Sequence, residues 1–107
     1  MAQFQIPISN AYGKPTEYTM DLESTGDGVR ILIDGGFAGR EVDEEVSLGD
    51  IAFLLNAEPG YKFEDLLGLI LENGGEEIRG IVGVGSGNER FIISTADLQA
   101  AFDELSR

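Results

Sequence analysis

The feature that most constrains the fold is the segment from Ser47 to Gly75, which holds the densest run of large apolar side chains in the sequence. Many of these residues recur every three or four positions, the spacing that places side chains on one face of an α-helix. Pro59 interrupts the segment, and proline is disfavoured inside a helix. The pattern therefore predicts two helices joined by a short turn, and these should supply much of the core.

The first of these helices has a recognisable beginning and end. Ser47 supplies an N-cap hydroxyl with Asp50 three residues later, an arrangement close to a capping box. The helix should end before Pro59, because the residue preceding a proline is disfavoured in the helical conformation. Its apolar stripe consists of Leu48, Ile51, Ala52 and Leu55.

The second helix is predicted to open near Phe63 and to close at Asn73-Gly74-Gly75. Glu64 and Asp65 would lie in its first turn, where carboxylates suit the positive end of the helix dipole. Leu69 widens its apolar stripe to about 200° of arc, so this helix should be the most buried one. The stripe consists of Phe63, Leu66, Leu67, Ile70 and Leu71.

Alternation of apolar and polar residues predicts three strands before this segment. The first, at residues 4–8, contains Pro7, which has no N–H to donate, so it should lie at a sheet edge or end early. The next two strands, within residues 17–34, should form an antiparallel hairpin. Residues 40–46 show no clear period and form either a short edge strand or an irregular connection.

Two further strands and a helix are predicted at the end of the chain. Residues 78–84 and 90–93 should pair as a hairpin, with Ile81 on the opposite face from its apolar neighbours. A capping pattern at Ser94 and Asp97 then begins a terminal amphipathic helix.

These elements predict the α+β class, in the order β-β-β-α-α-β-β-α. The expected architecture is an antiparallel sheet of about five strands with three helices packed mainly on one face. Residues 1–107 should form a single domain, since this is the commonest domain size. The acidic residues are expected on the opposite face of the sheet.

The charge balance is strongly negative, with seven basic and 20 acidic residues and a formal net charge of −13. Residues 1–53 contain three basic and ten acidic residues, and residues 54–107 contain four basic and ten acidic residues. The acidic excess is therefore not caused by an acidic tail. Such a surface disfavours direct binding to nucleic acid or to an anionic membrane. The sequence also lacks the pattern of a signal peptide or of a membrane-spanning segment, and the cytoplasm is the expected location.

Several kinds of chemistry are excluded by residues that the sequence lacks. Without cysteine there is no disulfide, thiolate-metal site or cysteine nucleophile. Without histidine there is no Ser-His-acid triad, histidine base or histidine-based zinc site. The glycine-rich run at residues 80–87 lacks the Lys-Ser/Thr pair and the following helix of a phosphate-binding loop, which favours a hairpin. We expect a protein that is not an enzyme and needs no cofactor.

The acidic residues form the predicted partner-binding surface, together with two aromatic residues. A calcium-loop pattern is absent, so a solvated acidic surface is favoured over a cation site. Phe37 lies in a glycine-rich connection and Phe53 lies off its helix's apolar stripe; each is either covered by a neighbouring element or an anchor for a partner. The acidic members are Glu17, Asp21, Glu23, Glu41, Asp43, Glu44, Glu45 and Asp50.

Three interpretations of function stay open. The first is a protein-binding module whose acidic face meets a basic protein surface. In one form it is an inhibitor that occupies a nucleic-acid-binding groove, as small acidic anti-restriction, anti-CRISPR and toxin-immunity proteins do. The second is an assembly subunit or homodimer in a phage or bacterial complex. The third is a protein of a high-salt cytoplasm, in which the acidity carries no information about partners.

Overall fold

The computed structural model describes residues 3–33, 42–64, 69–82 and 89–107. Within these ranges the chain forms eight β-strands and two α-helices. The helices are α1 (Leu48–Asn56) and α2 (Thr95–Leu105). The strands are β1 (Gln3–Asn10), β2 (Pro15–Ser24), β3 (Gly28–Ile33), β4 (Val42–Ser47), β5 (Lys62–Glu64), β6 (Leu69–Asn73), β7 (Glu77–Val82) and β8 (Glu89–Ser94).

All eight strands belong to one antiparallel sheet, in the order β4-β3-β2-β1-β8-β7-β6-β5. The sheet curls into a half-barrel with both helices on its inner side. The predicted α+β class, with about five strands and three helices, is therefore wrong. The protein is mostly antiparallel sheet, and two helices are present in the described ranges.

The error lies in the segment predicted as the second helix, which forms β5 and β6 instead. Leu69, Leu71 and Asn73 are buried on the inner face, whereas Ile70 and Glu72 alternate with them and are half-buried on the outer face. Apolar residues on both sides of a strand widen a stripe plotted at helical spacing, and this explains the arc of about 200°. The predicted stripe residues Leu66 and Leu67 lie outside the described residues.

The Asn-Gly-Gly sequence is the turn between β6 and β7 rather than a helix C-terminus. The Gly74 N–H donates to the Glu77 carbonyl at 2.8 Å. Gly75 has a φ of +89°, a left-handed conformation that glycine adopts without steric cost. The same residue types thus end a helix or reverse a strand, depending on what precedes them.

The predictions based on capping and on hairpin alternation are confirmed. Ser47 Oγ accepts the Asp50 N–H at 3.0 Å, and Ser94 Oγ accepts the Asp97 N–H at 3.4 Å. The β2–β3 and β7–β8 pairs are antiparallel neighbours. The segment that had no clear period contains β4, which is an edge strand beside β3.

The first strand was predicted from Pro7 to lie at a sheet edge or to end early, and both alternatives are wrong. β1 lies between β2 and β8 and continues to Asn10. Among the described residues, however, Ser9 and Asn10 are the positions of β1 that pair with β8. Pro7 pairs on its other side with Thr19, just before a shift in register. The missing N–H is tolerated because Pro7 precedes the part of β1 that joins β8.

The core fills the inner side of the half-barrel. Helix α1 lies beside both edge strands, since Ile51 and Leu54 share a small cavity with Val46 of β4 and Phe63 of β5. Helix α2 packs over strands near the middle of the sheet, and its buried residues are Leu98, Ala101 and Leu105. Neither helix meets the length and apolarity that a membrane-spanning helix requires, among the residues that the structure describes. Within the described ranges, the outer side of the sheet carries no helix.

Candidate functional site

The outer side of β2, β3 and β4 carries what we call the acidic face: Glu17, Asp21, Glu23, Asp43 and Glu45. Cross-strand pairing places these carboxylates in rows. Asp21 pairs with Leu32, which pairs with Asp43 on the next strand. Glu23 and Glu45 flank Arg30 in the same way. The hairpin and the edge strand, which are separated in sequence by residues 34–41, therefore present a common acidic surface.

Arg30 is the one basic residue of this face among the described strands. Its Nε and Nη2 donate to the two carboxylate oxygens of Asp43 at 2.8 and 2.7 Å, a bidentate arrangement. Its Nη1 is 4.0 Å from Glu23 Oε1. The hydrogen bond from Arg30 and its positive charge hold the pKa of the Asp43 carboxyl below its usual value. Arg30 thus fixes the orientation of Asp43 and offsets part of the local negative charge.

The remaining carboxylates of the acidic face have different environments. Thr19 Oγ1 donates to Asp21 Oδ1 at 2.8 Å, so this half-buried carboxylate is held in place. Glu17 and Glu45 are exposed and extend into solvent. No group of three or more acidic side chains converges tightly enough to hold a metal ion within the described ranges. The arrangement suits contact with a large cationic surface.

Three other predicted site residues are not brought into this face or fall outside the described part of the chain. Glu44 pairs with the buried Ile31, so its side chain lies on the opposite side of β4 from Asp43 and Glu45. Asp50 lies in the first turn of α1 and is half-buried beside the small core cavity. Glu41 is outside the described residues, so the predicted acidic cluster is divided rather than continuous.

Phe53 has an exposed fraction of 70%. The interpretation in which a neighbouring element covers this side chain is therefore wrong. Tyr12, in the β1–β2 turn, is 90% exposed. Phe37 lies outside the described residues. Phe53 is therefore available to a partner, but it is on a helix and not on the acidic face.

Sequence reasoning missed a second surface on the outer side of β5–β8, which we call the isoleucine face. Ile70, Ile81 and Ile92 form its half-buried centre. Arg79 lies between Glu72 and Ile92 on adjacent strands. Together with the isoleucines, five charged residues line a groove of about 320 Å³. These are Lys62, Glu72, Glu77, Arg79 and Arg90.

Part of the signal for the isoleucine face was present in the sequence. Ile81 was predicted to face away from Ile78, and the structure confirms this, with Ile78 buried and Ile81 half-buried on the outer side. Ile70 was assigned to a helix, so its cross-strand partner Ile81 could not be recognised. An outward isoleucine becomes informative when its neighbours on adjacent strands are known.

Comparison with known proteins adds a fold likeness. No protein-family model matches the sequence, and no curated protein has a significantly similar sequence. A solved structure, reported with mutations in SsgB that correlate to longitudinal cell division during sporulation of Streptomyces coelicolor, superposes with a TM-score of 0.66. The match covers 97% of this chain and 82% of that chain at 8% sequence identity. At that identity the likeness establishes a shared fold.

Proposed function

We propose that this protein is a non-enzymatic cytoplasmic binding module whose acidic face docks on a basic surface of another protein. The observation that supports this most is the arrangement of carboxylates in rows across β2–β4. Among the described residues of that face, Arg30 is the one positive charge. The whole chain adds a long-range field, since its formal net charge is −13. Such a field speeds the approach of a cationic partner and weakens as salt rises.

An inhibitor of a nucleic-acid-binding protein is the form that this geometry fits best. Alternate backbone positions of one strand are about 6.8 Å apart, and opposed positions on β2 and β4, two strands apart, are about 9.6 Å apart. A surface that normally holds a phosphate backbone presents repeated lysine and arginine side chains. Carboxylates held on a rigid sheet can occupy such a groove without the loss of backbone conformational entropy that a disordered acidic segment would undergo on binding.

The test is capture of a partner from the native host on the immobilised protein, followed by elution across a salt series and identification by mass spectrometry. The expected partner is a basic, nucleic-acid-handling protein that is retained at low salt and released as salt rises. Glu17→Gln/Glu45→Gln should release it at lower salt, because both carboxylates are exposed members of the acidic face.

A matched control is Glu58→Gln/Glu76→Gln, which removes the same charge from two exposed positions outside that face. This variant should elute close to the wild type. Equal shifts for the two variants would show that overall charge, and not the acidic face, holds the partner. Recovery of no basic partner at low salt would contradict the proposal.

A further inference from the structure

We infer that two copies of this chain pair through their isoleucine faces to form a weak dimer with two-fold symmetry. The first observation is an apolar centre on an otherwise polar outer surface. Ile70 and Ile81 are direct cross-strand partners, and Ile92 lies on the next strand, opposite Arg79. All three are half-buried and line the groove of about 320 Å³. An apolar centre with a charged margin is the usual anatomy of a protein interface.

The second observation is the local charge. Lys62, Arg79 and Arg90 account for three of the seven basic residues in the chain, and they share this face with Glu72 and Glu77. The face is therefore close to neutral in a protein of net charge −13. Two such proteins repel each other least when they approach through their least negative surfaces. A second copy is the partner that this balance selects.

The third observation is that the face is complementary to itself. Arg79 lies 3.8 Å from Glu72 and 3.5 Å from Glu77, while Lys62 and Arg90 have no ion pair within the described part of the chain. In a two-fold contact each patch meets an identical patch, so these two cations can meet the carboxylates of the other copy. The isoleucines of the two copies would then meet at the centre, with the sheets about 10 Å apart.

The size of the face sets the strength of the association. Three strands about 17–20 Å long and the three-residue β5, about 10 Å long, all about 4.8 Å apart, give a flat footprint of roughly 300 Å² per copy. This lies below the ~800 Å² per partner of a stable complex, so the dimer should be weak and populated at high protein concentration. The acidic face lies on other strands and stays accessible in this dimer.

The sign of the salt dependence separates this contact from the acidic-face complex. Added salt screens the repulsion between two proteins of net charge −13, and it also screens the ion pairs between the copies. Because exposed ion pairs contribute little, the loss of repulsion should dominate and self-association should strengthen. The complex with a basic partner should weaken over the same series, because salt screens an attraction there. The failure of one contact can therefore be distinguished from the failure of the other.

Sedimentation velocity of the full chain, over a range of protein concentrations and at low and high salt, tests the dimer. The expected result is a monomer–dimer equilibrium that shifts toward dimer with concentration and with salt. Ile81→Gln should weaken it by at least about tenfold, because a two-fold contact loses the side chain from both copies. Leu32→Gln is the matched control, since Leu32 is a half-buried outward residue of a paired strand on the acidic side. It should leave the association within about twofold of wild type.

A second pair of variants tests the charged margin. Arg90→Gln should weaken the dimer, whereas Arg107→Gln, which changes the net charge equally at the exposed end of the chain, should not. A strictly monomeric wild type at high salt, or wild-type association in a folded Ile81→Gln variant, would overturn the inference. Association that weakens with salt would indicate contact between unlike faces and would overturn the two-fold arrangement. Loss of the dimer in Phe53→Ser would also overturn it, by placing the contact on α1.

Discussion

The ring of Phe91 occupies the space that a side chain at position 80 would need. Gly80 of β7 pairs directly with Phe91 of β8, and a Cβ at this glycine would overlap the aromatic ring. Phe91 is 1% exposed and belongs to the hydrophobic core, so a shift of its ring would displace other core side chains. The glycine therefore lets a large aromatic side chain pack flat against the middle of the sheet.

Gly80→Ala should reduce the free energy of unfolding by about 1–3 kcal/mol, because the added methyl group forces the ring or the strand to shift. Urea denaturation followed by circular dichroism measures this loss. Gly49→Ala is the matched control: its Cβ would lie 3.7 Å from Ser47 Oγ, an ordinary contact. Because alanine is favoured over glycine in a helix, this control should be neutral or stabilising by up to about 1 kcal/mol.

A double variant identifies Phe91 as the cause of the loss at position 80. Leucine at position 91 leaves space next to the new methyl group, so Gly80→Ala should cost less in a Phe91→Leu background than in the wild type. The coupling between the two substitutions should be about 0.5–3 kcal/mol, the range found for residues in contact. Additive losses would show that the backbone at position 80, rather than the ring, resists the alanine.

Asn73 joins the end of α1 to the β6–β7 turn. Its Nδ2 donates to the carbonyls of Leu54 and Ala57 at 2.8 and 3.0 Å, and its Oδ1 accepts the Gly75 N–H at 2.8 Å. The side chain is buried, with an exposed fraction of 4% for the residue. Asn73→Ala should cost about 2–4 kcal/mol, since it removes one buried and two part-buried hydrogen bonds to backbone groups.

The control for Asn73 is another asparagine with a similar bond in solvent. Asn56 Nδ2 donates to the Ala52 carbonyl at 2.8 Å, but this bond is exposed. Water can replace it, so Asn56→Ala should cost less than about 1 kcal/mol. Thermal and urea unfolding of the two variants would reject the role given to Asn73 if their losses were equal.

The parts of the fold that the sequence predicted correctly depend on interactions between near neighbours. The caps at Ser47 and Ser94 are bonds across three residues, and the β2–β3 hairpin follows from alternation on both sides of a turn. The helix predicted over residues 62–73 is wrong because two short strands with apolar residues on both faces also match the spacing of a helix. In such a segment, tertiary pairing decides between helix and strand.

The candidate surfaces were harder to predict, because they depend on which strands become neighbours. The acids on β2 and β4 share a face through β3, which places Arg30 between Glu23 and Glu45. Pairing between β1 and β8 joins the two halves of the sheet, and these strands lie about 80 residues apart in the chain. Alternation predicts the face on which a residue lies but does not identify its neighbour across the strands.

The Arg30–Asp43 pair should be visible in the titration of Asp43. The Arg30 hydrogen bond lowers the pKa of this carboxyl below its ordinary value of 3.8. The stability that the pair contributes is therefore fully present above that ordinary value and is lost as the pH falls through the lower folded-state pKa. Titration of the side-chain carboxyl carbon by NMR measures the shift.

Arg30→Gln should return the Asp43 pKa toward 3.8, since it removes both the hydrogen bond and the charge. Lys14→Gln changes the net charge equally but lies in the β1–β2 turn, away from this pair, so it should leave the Asp43 titration in place. The same shift in both variants would assign the effect to the overall field of the protein and not to Arg30.

A substitution at Phe53 tests a role in binding separately from a role in stability. Because 70% of Phe53 is exposed, Phe53→Ser should change the free energy of unfolding by less than about 0.5 kcal/mol. As a partner anchor outside the acidic face, Phe53 would extend the contact from β4 onto α1, which follows it directly, and should contribute about 1 kcal/mol or more to binding. The variant should therefore fold normally, yet release the captured partner at lower salt than the wild type does. Its neighbour Leu54 is 1% exposed, so Leu54→Ser should destabilise the fold by at least about 2 kcal/mol. Unchanged folding and unchanged partner retention in Phe53→Ser would remove this residue from the binding surface.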